Sequence, residues 1–151
     1  MKKYLLLSSL ILIGFLGIAQ DNDAYKSFIR TTGVVIHKAQ KEMLRSQKND
    51  VGGLLAKTVI LQNNAIALYK TKNNERAICA SAVARKYAAE VIKTISNDTS
   101  SFYLIHDNEK NLLSNCVSDD VLYIESKQKA NSASEKDADY ITSLNNLTID
   151  L

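Results

Sequence analysis

The chain has 151 residues, 46% of them hydrophobic, with no proline, no tryptophan, five glycines and a formal net charge of +3. So little proline and glycine argues against sandwiches and barrels, whose many tight turns draw on both. It favours long helices, and the length after a leader suffices for one domain with a real core.

Residues 1–19 have the layout of a secretory signal peptide. Lys2 and Lys3 form a positive start, Tyr4 to Phe15 is almost wholly apolar, and Gly17-Ile18-Ala19 supplies small residues before a cut. The apolar run is shorter than the roughly 20 residues a spanning helix needs, so cleavage is expected over retention as an anchor. No cysteine lies near the cut, which excludes a bacterial lipid anchor there. Residues 20–151 are then expected to form a single all-α domain in the periplasm or outside the cell.

The first mature helix is expected from Asp21 to Lys48. Tyr25, Phe28, Ile29, Thr32, Val35, Ile36, Ala39 and Met43 make an apolar stripe at helical spacing. The opposite side carries Arg30, His37, Lys38, Lys41, Arg45 and Lys48. Thr31–Ile36 has strand-like propensity interrupted by Gly33, so helix and strand both remain open there.

The centre of the chain, from Asn49 to Asn97, reads as an antiparallel helical hairpin turning over Lys70–Asn74. In the first limb Val51, Leu55, Thr58, Val59, Leu61, Ala65 and Leu68 share one arc, and Gln62 falls inside it. A buried amide needs partners, and the Thr58 and Tyr69 hydroxyls are the nearest along the chain. The second limb buries Ala77, Ala80, Ala84, Ala88, Val91, Ile92 and Ile95. Its wheel puts Arg85, Lys86, Glu90 and Lys93 in solvent and Cys79 on the polar flank.

Beyond Asn97 the pattern weakens. Phe102, Ile105, Leu112, Leu113 and Cys116 recur at helical spacing, yet His106–Asn111 is good turn composition, so one helix and two short pieces fit equally. Val121–Ile124 suits either a helix start or a short strand. Ser134 with Asp137 resembles a capping box, opening a last helix whose Tyr140, Ile141, Leu144, Leu147 and Leu151 share a face. The expected architecture is a compact all-α bundle of five or six helices around the central hairpin, covered by the first and last helices.

Charge is divided along the chain: residues 20–97 carry 13 basic and 6 acidic side chains, and residues 98–151 carry 4 and 10. Two uses fit this division. The acidic half, with Asp119, Asp120, Asp137 and Asp139, folds against the basic first helix, or that helix meets an anionic partner.

Two cysteines, Cys79 and Cys116, in an exported chain read as one disulfide. The two histidines, His37 and His106, belong to no metal-binding spacing, so no metal or cofactor is expected. There is no nucleophile-elbow or HExxH motif. The weak catalytic candidates are Glu109 and His106, neighbours at i and i+3 on a helix, where an apolar setting would suit Glu109 to general-acid work. Nucleic acid is disfavoured, because export and the lack of interleaved exposed aromatics argue against it.

The sequence therefore points to a secreted or periplasmic non-enzymatic binding module of inhibitor, immunity or adaptor type. Its contact residues would be Arg30, His37, Lys41, Arg45 and Lys48, facing a protein or an anionic envelope partner. Two alternatives stand beside it: a small exported hydrolase using Glu109 and His106, and a protein in peripheral contact with a membrane surface. A Glu109→Gln change separates the hydrolase, since the binding readings expect it to be harmless or stabilising.

Overall fold

In the computed structural model the backbone is described for residues 2–46 and 51–129, and side chains for 23–46 and 51–124. Every regular element among these residues is helical and no strand forms. Three long helices, α1 (Lys2–Ser46), α2 (Gly52–Lys70) and α3 (Asn74–Ser96), are followed by short ones. These are a 3-10 turn at Ser101–Tyr103, α4 (Asp107–Lys110), a second 3-10 turn at Asn111–Leu113, and α5 (Asp119–Lys129). The all-α expectation holds. Residues 2–19, expected to be a leader, are helical and continuous with the rest of α1. The expected last helix over 134–151, the possible cap Asn49-Asp50, and Lys48, Asp137 and Asp139 lie outside the described residues.

The hairpin α2–α3 turns without glycine. Lys72 takes the left-handed conformation, φ 64°, and its N–H donates to the Tyr69 carbonyl at 3.0 Å while that of Asn73 donates to Leu68 at 2.9 Å. Those bonds satisfy carbonyls that a helix end otherwise leaves open. α1 lies against both limbs, parallel to α3 and antiparallel to α2. Phe28 and Ile29 share an apolar cluster with Leu68, Ala77 and Ile78 at one end. Val35, Ile36, Ala39 and Met43 share another with Leu55, Val91 and Ile92. Ala77, Ala80, Ala84 and Ala88 are fully buried at the seam of α3, and their short side chains let the neighbouring backbones approach closely.

Both strand-like segments are helical. Within α1 the Thr31 and Thr32 hydroxyls donate one turn back to the carbonyls of Ser27 at 3.0 Å and Phe28 at 3.1 Å. Buried Thr32, Val35 and Ile36 earn their place through packing, which overrides propensity. Val121–Ile124 begins α5, where Asp119 and Asp120 occupy the first turn and suit a helix N-terminus. The Leu122 side chain is buried in the larger cluster.

The stretch between α3 and α5 resolves into short pieces that run as a strap along α3. Ile105, Leu112 and Leu113 pack on the Phe28–Ile78 cluster, and Tyr103 and Cys116 on the other. As a result Ala77 to Arg85 form one unbroken buried run, walled by α1 and α2 on one side and the strap on the other. This overturns two sequence expectations. Arg85 is not in solvent but fully buried, and Cys79, placed on a polar flank by its wheel, is buried as well. Asn64 of α2 is buried as well. α2 is covered by α5 as well as by its hairpin partner, with Lys57 over the Tyr123 ring at 5.2 Å.

Candidate functional site

The outer side of α1 is the surface the sequence singled out. At 100° per residue Arg30, Val34, His37, Lys41, Leu44 and Arg45 fall within an arc of about 100°, and all six are exposed. The opposite side is committed to the core, with Ile29, Val35, Ile36 and Ala39 at 0% exposure. Two apolar side chains thus stand among the cations, Val34 at 52% and Leu44 at 59% exposure. Neither belongs to the charged set that the sequence assigns to this face. One carboxylate sits at the flank: half-buried Glu42 accepts from Lys38 at 2.6 Å and lies 3.7 Å from Arg45. The Lys38 hydrogen bond holds the Glu42 carboxyl below the usual range.

In the acidic half of the chain Asp98 lies beside Lys38 at the flank of α1, and three other described carboxylates have partners away from it. Asp119 pairs with Lys86 of α3 at 2.6 Å, and this bond raises the lysine above its ordinary value. Asp107 pairs with Lys110 at 2.6 Å within α4. Asp98 accepts from the Tyr103 hydroxyl at 2.8 Å and the Ser100 N–H at 3.0 Å. Glu109 faces inward.

Glu109 and Arg85 form the most elaborate polar arrangement in the described interior. The guanidinium donates through one terminal nitrogen to both Glu109 oxygens, at 2.9 and 2.8 Å. Its other terminal nitrogen donates to the Phe28 carbonyl at 3.0 Å, and Nε to the Thr32 hydroxyl at 3.1 Å. The Phe28 ring lies 4.1 Å from the guanidinium carbon, a cation–π contact. Burial pushes the guanidinium down and the Glu109 bond pulls it back up; arginine nonetheless stays charged in proteins. One side chain of α3 therefore ties α1 to the strap.

Glu109 and His106 are indeed neighbours, through the backbone. The His106 N–H donates to Glu109 Oε2 at 2.9 Å, and the Glu109 N–H returns a bond to the His106 carbonyl at 2.9 Å. The His106 residue is exposed. Glu109 is thus the partner of a buried cation, and the expectation that Glu109→Gln would be harmless is corrected: it would strip that cation of its counter-charge.

Gln62 also finds partners other than those expected. Its amide donates to the Ile29 carbonyl of α1 at 2.9 Å and accepts from the Ser81 hydroxyl of α3 at 3.0 Å. Thr58 instead donates to the Leu54 carbonyl at 2.9 Å. No one-helix wheel could have found these partners, because they come from other elements.

Cys79 and Cys116 are bridged, with Cα atoms 5.3 Å apart across a separation of 37 residues. The bridge fastens the strap to α3 less than two turns from Arg85. Two shallow grooves lie beside the strap. One, of about 340 Å³, runs between Ala89, Lys93, Asp98, Tyr103 and Leu104. A smaller one, of about 170 Å³, lies between Ala82, Ile105, Leu113 and the two cysteines. Among the described residues no three His, Cys, Asp or Glu side chains gather as a metal site. Among them, too, no helix is long and apolar enough to cross a membrane.

Compared with protein-family models, curated proteins and solved structures, the chain matches none.

Proposed function

We propose that the protein is an exported binding module without catalysis of its own, and that the outer side of α1 is its contact surface. The observation carrying this reading is the joint exposure of Arg30, His37, Lys41 and Arg45 with Val34 and Leu44 on one arc. Charges that project together from a rigid helix act together on an approaching anion. Of the competing internal use, the described residues show only Asp98 beside Lys38 at the flank of α1; Asp119, Asp107 and Glu109 are engaged away from this arc.

Two further observations support the reading. Glu109, the better catalytic candidate, spends both oxygens on Arg85, which favours a structural role over a hydrolytic one. The Cys79–Cys116 bridge suits an oxidising compartment, and with it the export that the leader implies.

The test is charge reversal. A variant carrying Arg30→Glu, Lys41→Glu and Arg45→Glu should keep its circular dichroism and melting behaviour. It should also lose salt-sensitive binding to the native exported or envelope fraction. A variant that unfolds, or one that binds as the parent does, would remove α1 from consideration as the contact surface.

A further inference from the structure

The arc on α1 is a ridge with a definite size and make-up, and these point to its partner. From Arg30 to Arg45 it spans about 22 Å at 1.5 Å per residue, and one helix is about 10–12 Å wide. The face therefore offers roughly 250 Å², well short of the ~800 Å² each side of a stable protein interface usually buries. It is convex, and neither of the two grooves beside the strap includes a residue of α1. The arc holds no aromatic side chain to serve as a buried anchor, the usual centre of a protein–protein hot spot. What it does hold is three permanent cations and a histidine, with a half-exposed Val34 and Leu44 between them.

A plane of negative charge suits such a ridge better than a protein pocket does. Electrostatic attraction to a charged plane acts across a Debye length, about 8–10 Å, and needs no large interlocking area. Arginine and lysine stems can lie along the headgroups while Val34 and Leu44 reach the boundary below them. We infer that α1 docks through Arg30, Val34, Lys41, Leu44 and Arg45 onto an anionic lipid surface. This rests on the reading of α1 as the contact surface and names its partner.

The experiment is vesicle co-flotation of the exported, disulfide-intact protein. Vesicles of phosphatidylcholine alone are compared with equal mixtures of phosphatidylcholine and phosphatidylglycerol. Each cation near an anionic surface is worth about fivefold in partitioning, so three give roughly a hundredfold preference for the anionic vesicles at low salt. Raising the ionic strength should erase that preference. The Arg30→Glu, Lys41→Glu, Arg45→Glu variant should lose it entirely. A second variant, Val34→Ser with Leu44→Ser, keeps every charge. It should retain the salt dependence and bind about tenfold more weakly, which keeps the test decisive should charge reversal disturb folding.

Equal partitioning to both kinds of vesicle overturns the lipid inference. If charge reversal then still abolishes capture from the envelope fraction, α1 remains the contact surface and its partner is an acidic protein. If reversal changes neither measurement, the contact surface and the lipid partner fall together.

Discussion

Replacing Glu109 by glutamine tests the buried ion pair directly. Arg85 has 0% side-chain exposure and Glu109 16%, with two hydrogen bonds of 2.8–2.9 Å between them. Glutamine keeps the shape and one acceptor oxygen, but it leaves a buried guanidinium without a counter-charge. Removing one member of a buried pair typically costs about 3–5 kcal/mol. The retained acceptor and the partial access of water to position 109 offset some of that, so about 2–3 kcal/mol is expected. In urea, with the disulfide intact, this would lower the unfolding midpoint by about 1–2 M. The double variant Arg85→Met, Glu109→Leu should recover to within about 1 kcal/mol of the parent, because replacing both charges removes the desolvation cost as well. The Thr32 hydroxyl still donates to the Phe28 carbonyl, so the loss of the guanidinium leaves neither of them bare. A Glu109→Gln protein within about 0.5 kcal/mol of the parent, or a double variant worse than the single, would refute this account of Arg85.

Two other predictions rest on separate parts of the fold. Mass spectrometry of a non-reduced digest should recover the peptides joined by Cys79 and Cys116, and replacing either cysteine by serine should cost up to about 4 kcal/mol for a loop of this length; two freely alkylated thiols in unreduced protein would sink it. The Tyr103 hydroxyl, and next the Ser100 N–H, hold the Asp98 carboxyl below the usual range. Asp98 therefore contributes stability that is complete above its unfolded-state value near pH 4 and is lost as the pH falls through the lower folded-state value. The stability gap between the parent and Asp98→Asn should close on acidification below pH 4, and a gap that widens there would contradict it.

Much of this architecture was legible in the sequence because it rests on periodicity. The apolar stripe of α1, the central hairpin and the alanine seam of α3 each follow from a 3.6-residue repeat. The exposed cations of α1 were legible for the same reason. What could not be read is what comes from outside a helix. Arg85 and Cys79 look solvated on their own wheels and are buried because another element, the strap, covers them. The strap is hard to foresee, since its short turns carry little periodic signal and its position depends on contacts 24 to 37 residues apart. Gln62 was recognisable as a buried amide, but its partners, Ile29 and Ser81, lie on α1 and α3. Val34 and Leu44 fall on the same arc of the wheel as the charges, so their exposure was legible from the same periodicity.

Arg85 also constrains the order in which the chain can assemble. It reaches back 57 residues to the Phe28 carbonyl and forward 24 to Glu109. Hairpin closure between α2 and α3 is local and fast, but docking α1 alone would drag a guanidinium out of water before its carboxylate had arrived. That intermediate is penalised, so the interior between α1 and α3 can dehydrate fully only when the strap comes down as well. A segment with the look of surface decoration thereby becomes the closing step of folding.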